Sequence, residues 1–368
     1  MSLDLYVISL DNGVRGEISD YDSLEIERNY YSVSKMILRV PKTRENSDLL
    51  RKGNLLALTN NPTYTYIIEH FGSIKEGRKN IIEVYAYSLN YLLSFRTVPT
   101  QTVLRGHVED VVKELIRINA INPSDPNRVI PLLSLEDNLF TGINTIISKT
   151  GSNLLEHSFD ILKEFEFSLD LIVDYQTGST NISNIKVMTW RANDRSINQS
   201  VLPRVMFSED FDNILSQNYY NSDLDLKTVA YVAGEGEGIN RAVQQVNNAA
   251  GLFRREQYID ARDLQRTYFD ENGEQQTLVE DDYLSSLTNR GLENLSSRLT
   301  VESFEATVDD VQYRLGTDYG LGDLVTFQDS ELGVTLNVRV TSIKTISNKE
   351  GVTHTPSFGT GIPNKLLE

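Results

Sequence analysis

The sequence contains no cysteine. Disulfides, zinc–thiolate sites and thiol nucleophiles are therefore excluded, and packing and association must hold the protein together. Histidine is scarce as well. Of His70, His107, His157 and His354 none has a partner at metal-binding spacing, and Glu156-His157 is not followed by a second histidine one helical turn on. There is no glycine-x-serine-x-glycine elbow for a serine nucleophile. No apolar run reaches the roughly eighteen residues of a membrane-spanning helix, so membrane insertion is not expected. Met1-Ser2-Leu3-Asp4-Leu5-Tyr6 lacks the basic-then-apolar order of a secretory signal. Positive charge is also in short supply: 35 basic residues face 52 acidic ones, a formal charge of −17. Such a surface repels phosphate and argues against reading of DNA or RNA sequence. It suits a wall past which DNA slides, although solubility alone accounts for it too.

What is present suits a multi-domain protein. The 368 residues are 39% hydrophobic and 24% charged, enough for two or three cores with a soluble exterior. The first hundred residues read as short strands. They are Leu5 to Leu10 before the turn Asp11-Asn12-Gly13, Ser32 to Pro41, Leu55 to Thr59, Tyr64 to His70 and Ile81 to Tyr87. Helical spacing appears from His107 to Ile118 and again from Asn153 to Glu164. Strands return at Phe167 to Tyr175 and Ile185 to Trp190, and the chain is strand-rich beyond Val201. A further helix is expected between Asp281 and Leu299, with Gly291 a point of interruption. The fold class expected is α+β: two small β-barrel-like domains with intervening α/β elements. The boundaries fall at 1–98, 99–200 and 201–368, with the helical insertion around 281–299 in the last.

Two distant segments are alike. Gly53-Asn54-Leu55-Leu56-Ala57-Leu58 and Gly322-Asp323-Leu324-Val325-Thr326-Phe327 each place a glycine and a short polar residue before an apolar strand. A second strand follows each, and each leads to the same tripeptide, Lys75-Glu76-Gly77 and Lys349-Glu350-Gly351. Glycine opens a strand where the chain turns sharply, and the tripeptide closes the next hairpin. Two related β-domains per chain would let three copies present six similar domains around one axis.

Chemistry is harder to find. Gly234-Glu235-Gly236-Glu237-Gly238 looks superficially like a phosphate loop, but it has no following lysine and its glutamates would repel phosphate. A tight turn after the strand Thr228 to Ala233, needed at a subunit contact, is the better reading. Asp281-Asp282 and Asp309-Asp310 are neighbours in sequence, whereas a glycosidase needs carboxylates converging from distant positions. Asp270-Glu271-Asn272-Gly273 lacks the spaced ligands of a calcium loop and reads as a hairpin turn. No metal and no cofactor are expected. Most tyrosines lie in apolar strands; Tyr30-Tyr31 and Tyr219-Tyr220 are the better candidates for interface anchors.

The stretch from Val229 to Leu264 carries a resemblance. Val229-Ala230-Tyr231-Val232-Ala233-Gly234-Glu235-Gly236-Glu237-Gly238, Gly251-Leu252-Phe253-Arg254-Arg255-Glu256 and Tyr258-Ile259-Asp260-Ala261-Arg262-Asp263-Leu264 resemble the tail hub family of siphophages. Those proteins are also described as the structural N-terminal part of tail-associated lysins. Val205 to Asn213 and Pro356-Ser357-Phe358-Gly359 fit the same pattern. The resemblance implies a homotrimeric hub related to the baseplate hub of contractile phages. It implies the distal tail protein, the tape measure protein and the tail tube as partners, with DNA only as passing cargo. The expected location is the virion tail tip, after synthesis in the bacterial host cytoplasm. Many relatives continue into a receptor-binding or lytic region, and none follows Phe358 here. Such functions would then sit on other proteins or on a longer form of this chain. Arg254, Arg255, Arg262 and Asp263 are expected to form ion pairs within the hub or contacts between subunits. No enzymatic activity is expected; the alternative is a cell-wall polysaccharide or peptidoglycan hydrolase, and a third reading is a receptor-binding module.

Overall fold

The computed structural model describes residues 3–10, 13–77, 79–139, 144–269, 274–308 and 312–359. Seven strands come first: β1 (Leu5–Ser9), β2 (Gly13–Ile18), β3 (Ser23–Asn29), β4 (Lys35–Pro41), β5 (Leu55–Leu58), β6 (Asn61–Glu76) and β7 (Lys79–Ser88). A short helix, α1 (Arg44–Leu49), sits between β4 and β5. Alternation sets the inner face of these strands: Met36, Leu38 and Val40 of β4 are buried with Ile82, Val84 and Ala86 of β7. The strand β3 had no counterpart among the sequence expectations. Its Leu24 and Ile26 alternate with Glu25 and Glu27, and a strand with so many charges on its outer face is weakly apolar as a run.

The middle of the chain supplies β8 (Thr102–His107), α2 (Val108–Ile116), β9 (Leu133–Leu135), β10 (Asn144–Lys149), α3 (Leu154–Glu164), β11 (Ser168–Tyr175) and β12 (Ile182–Trp190). Both helices stand where the 3.6-residue spacing predicts them. Asn153 caps α3, its side-chain oxygen accepting the Glu156 N–H at 2.8 Å. Val111, Val112 and Leu115 of α2 pack in one core with Leu154, Phe159 and Leu162 of α3, and that core reaches Ile8, Leu55 and Ile67 of the first strands.

The last third begins with β13 (Met206–Ser208) and β14 (Ile214–Ser222). An insertion follows, made of β15 (Val229–Ala233), β16 (Val243–Val246), β17 (Glu256–Asp260), β18 (Thr267–Phe269), β19 (Gln275–Thr277) and α4 (Glu280–Ser296). The chain then returns through β20 (Val301–Val308), β21 (Leu324–Asp329), β22 (Val334–Asn348) and β23 (Gly351–Gly359). Gly291 does not interrupt α4. A Cβ there would lie 2.5 Å from Val246 Cγ2 and 2.9 Å from Val232 Cγ2, so the glycine is what lets the helix sit directly on the β15–β16 hairpin.

Among the described residues, thirteen strands from both ends of the chain form one sheet. Its path runs β14-β20-β23-β22-β3-β4-β7-β6-β5-β1-β2, with β21 pairing β22 and β13 pairing β21. Of the two barrel-like domains expected, neither is seen as a closed barrel: among the described residues no pairing closes either half. The two β-units are instead fused side by side where β22 pairs antiparallel with β3, from Ser342↔Asn29 to Asn348↔Ser23.

The likeness between the units is structural. Gly53 N–H donates to Ile68 O at 2.9 Å and Ile68 N–H to Asn54 O at 2.9 Å; Gly322 N–H donates to Val340 O at 2.8 Å and Val340 N–H to Asp323 O at 2.9 Å. Both glycines are left-handed, at φ 86° and 84°. The same register shift follows in each long strand, between Ile68 and His70 of β6 and between Val340 and Ser342 of β22. The tripeptides behave differently. Glu76 pairs with Lys79, so Gly77 lies in the first hairpin's turn at φ 61°, whereas Asn348 pairs with Gly351 and Lys349-Glu350 make the second turn. The shared letters are two positions out of structural register.

Candidate functional site

The motif residues of the insertion fall on one small unit, and each has a partner inside the chain. Gly234 ends β15 against α4, where a Cβ would overlap Tyr283 Oη. That hydroxyl accepts the Glu235 N–H at 2.7 Å and donates to Leu264 O at 3.0 Å, while the Arg266 guanidinium lies 4.7 Å from the ring centre. Gly236 has φ 104°, and a Cβ on it would lie 2.6 Å from Asn240 O. Gly238, at φ 55°, opens the turn that exposes Ile239 fully. Glu235 accepts the Arg266 N–H at 3.1 Å, and Glu237 is exposed, its carbonyl accepting the Asn240 N–H at 3.1 Å. The glycines therefore serve close packing and a tight turn.

The charged motif divides among four places. Arg254 donates to Tyr231 Oη at 2.7 Å and Ala249 O at 2.8 Å, and pairs with Glu256. Arg255 pairs with Asp223 at 3.7 Å. Arg262 meets Asp260 at 2.6 Å, and Arg241 reaches the same carboxylate at 2.5 Å; hydrogen bonds from Arg262 and then Arg241 pull the Asp260 pKa down to about 2. Arg241 was not singled out in the sequence, yet it ties the loop down: its guanidinium also donates to Gly234 O at 3.0 Å and Ala233 O at 2.8 Å. Nothing in local sequence marks it, because two of its acceptors are backbone carbonyls and Asp260 lies well down the chain.

Asp263 belongs to a different arrangement. It pairs with Arg290 of α4 at 2.9 Å, and Arg290 donates on to Ser148 O at 3.3 Å. This begins a polar seam between the insertion and the middle segment. Lys149, 3% exposed, pairs with Glu293; Asn289 donates to Ile146 O, and Arg105 pairs with Asp282. His157 borders the seam. Burial, then the nearby Lys149 charge, pushes its pKa down to about 4, and among the described residues its Nε2 has no hydrogen-bond partner. Burial, then Glu293, pushes the Asp160 and Glu164 carboxyls up.

Asp281 and Asp282 stand in the first turn of α4. Asp309-Asp310, Asp270-Glu271-Asn272-Gly273 and the Asp11-Asn12 turn lie outside the described residues. Among the described residues no group of acidic and histidine side chains could hold a metal ion, and no helix is long and apolar enough to cross a membrane. His70 meets Tyr85 edge to face and His354 Nδ1 sits 2.9 Å from Thr345 Oγ1, both on strands.

Tyr30 anchors the joint of the two β-units. Its N–H donates to Thr341 O at 2.9 Å, its hydroxyl donates to Glu166 O at 2.9 Å, and its ring packs so closely on Gly322 that a Cβ there would lie 2.5 Å from Tyr30 Cδ2. Asp323, 5% exposed, accepts from Asn193 N and Gly320 N at 2.9 Å each and from Arg195 Nε at 3.1 Å.

With this architecture in view, comparison with known proteins is decisive. The sequence pattern of the Siphovirus ReqiPepy6 Gp37-like proteins matches residues 4–360. The chain belongs to that family. A comparison with curated protein sequences gives no match. Among solved structures, the tail protein from Neisseria meningitidis MC58 superposes with a TM-score of 0.56 at 12% identity, covering 98% of this chain and 97% of its own. Prophage tail protein gp18 from Listeria monocytogenes EGD-e gives 0.56 at 11% identity, covering 99% and 96%. The prophage MuSo2 43 kDa tail protein from Shewanella oneidensis gives 0.55 at 12%, covering 97% and 98%. The Gp37-like chain thus has the fold of phage and prophage tail proteins, as the Val229–Leu264 resemblance implies.

Proposed function

We propose that this Gp37-like protein is a non-enzymatic structural component of a phage or prophage tail, a homotrimeric hub ring at the tail tip that closes the tube and lets DNA pass. The observation that carries the reading is the doubled β-unit, with the same glycine turn and the same strand irregularity on both sides of one continuous sheet. Three such chains offer six equivalent units to a six-fold tube. The fold shared with prophage tail proteins supports the tail assignment. The distal tail protein, tape measure protein and tail tube are the proposed partners. An acidic exterior keeps DNA a passing cargo, since a wall of like charge does not bind it. Units bounded at 1–98, 99–200 and 201–368 are part of the same proposal.

Light scattering across a concentration series tests it. The expected molar mass is near three times 41.7 kDa, alone or after addition of the distal tail protein. A monomer under both conditions overturns the hub reading.

A further inference from the structure

The joint between the two β-units is half of a contact that the repeat defines twice. In β22 the segment 342–348 has β23 on one side and β3 on the other. The shared irregularity makes residue 340 of β22 equivalent to residue 68 of β6, so segment 342–348 corresponds to 70–76. Those residues of β6 pair with β7 on one side, and among the described residues no strand pairs with the other. The same mapping makes β14 the equivalent of β3. Glu25 pairs with Ile37 of β4, which pairs with Tyr85 of β7; Asn218 pairs with residue 305 of β20, which pairs with Ser357 of β23. β14 ends the sheet. Each chain thus contains one made contact, β3 on β22, and the two unmatched halves of another, β14 and the outer half of β6.

The geometry points to these halves meeting between copies: β14 of one chain adds antiparallel to residues 70–76 of β6 in the next. The occupant is a second copy of this chain because the template is the chain's own joint. The register follows from Asn29↔Ser342 and Glu25↔Ile346. Ser222 faces His70, Tyr220 faces Gly72 and Asn218 faces Ile74 of the neighbour. Two features agree with it. A bare glycine across from an aromatic is a favoured way to cover an exposed strand backbone. The far end of the sheet is blocked instead, since Val14 N–H of β2 donates to Thr180 Oγ1 and Gly13 is covered by Asn181. This inference rests on the hub reading and adds the surface and register that build the ring.

Thiol cross-linking tests it, and the absence of native cysteine makes introduced thiols the only ones. Tyr30 N–H bonding to Thr341 O marks a hydrogen-bonded pair in the template, so alternation makes the 218/74 and 220/72 pairs non-hydrogen-bonded. Their Cα atoms would stand about 4.5 Å apart, within the roughly 4.4–6.8 Å that a disulfide spans. Full-length Asn218→Cys and Ile74→Cys proteins, mixed and oxidised at a concentration where the wild type is oligomeric, should give a covalent dimer. Tyr220→Cys mixed with Gly72→Cys should do the same and guards against one variant misfolding. Asn218→Cys mixed with Ser73→Cys should not, because a one-residue slip turns the side chain to the other face. Cross-links at 218/74 and 220/72 but not 218/73 support the inference. Their absence in an assembly of three-fold mass overturns it and leaves the hub reading standing. Specific cross-links in an assembly of another mass uphold the strand pairing and overturn the three-fold ring.

Discussion

The chain's parts are held by two joints built from different materials. Between the β-units, β3 and β22 share a ladder of backbone hydrogen bonds, sealed by Tyr30 and the contact of Tyr21 Oη with Ser347 Oγ at 2.8 Å. Between the insertion and the middle segment, charged side chains do the joining: Lys149 with Glu293, Arg290 with Asp263, Arg105 with Asp282. A ladder is indifferent to which side chains it carries and fixes register. The Lys149–Glu293 pair, the least exposed of the three, depends on its two residues, because desolvation of each charge is offset mainly by the other. The first joint should therefore tolerate side-chain change but not backbone strain, and the second the reverse.

The largest effect is expected at the ionic joint. Lys149→Ala leaves the half-buried Glu293 without its cation and next to the Asp160 and Glu164 charges, and should lower stability by about 2–4 kcal/mol. Removing both charges, Lys149→Met with Glu293→Leu, should recover most of that loss, since an apolar pair of similar volume is often neutral. Urea unfolding of the two variants is the check. Equal destabilisation would mean that the pair is not what holds the insertion.

At the ladder joint the repeat provides its own control. Gly322→Ala combines a left-handed backbone with a Cβ driven into the Tyr30 ring, and should cost about 2–4 kcal/mol. Gly53→Ala has the same φ but open space around it, and should cost about 1 kcal/mol. Two equal shifts in the urea midpoint would show that close packing on Tyr30 contributes nothing to the joint.

Much of this was legible in the sequence, and the failures have physical causes. Period-3.6 spacing located α2, α3 and α4, and the glycine–polar–apolar pattern located both turn strands, because these signals are local. The fusion of the β-units into one sheet was not legible, since β3 and β22 are separated by most of the chain and nothing local announces a partner. The Lys-Glu-Gly match misled on register: turns reuse the same residues, and Gly77 and Gly351 take different places in their hairpins. Around the motif, Asp260 and Asp263 were visible as charges, but Arg241 and Arg290, which pair with them, lie outside it. The seam holding Lys149 and His157 was missed altogether, because burial of a charge has no sequence signature.

The smallest effect concerns that seam and separates the two joints by pH. The folded-state pKa of His157 is about 4, below the ordinary value of 6.5, because burial and Lys149 disfavour the imidazolium. Between those values the unfolded chain binds the proton more readily, so stability is full above pH 6.5 and declines as pH falls toward 4. Asp160 and Glu164 act in the opposite sense: with folded pKa raised by burial they take up protons more readily when folded, and they offset part of the decline at its acid end. His157→Gln removes the titrating group while keeping a polar side chain. The urea midpoint of the variant should fall less than that of the wild type between pH 7 and pH 4.5. Hydrogen exchange can then assign the difference: amides of α3 and α4 should lose protection first as pH falls, and those of β3 and β22 should not. Parallel loss at both joints would mean that the molecule opens as one unit and that the contrast between ladder and ion pairs has no consequence for its unfolding.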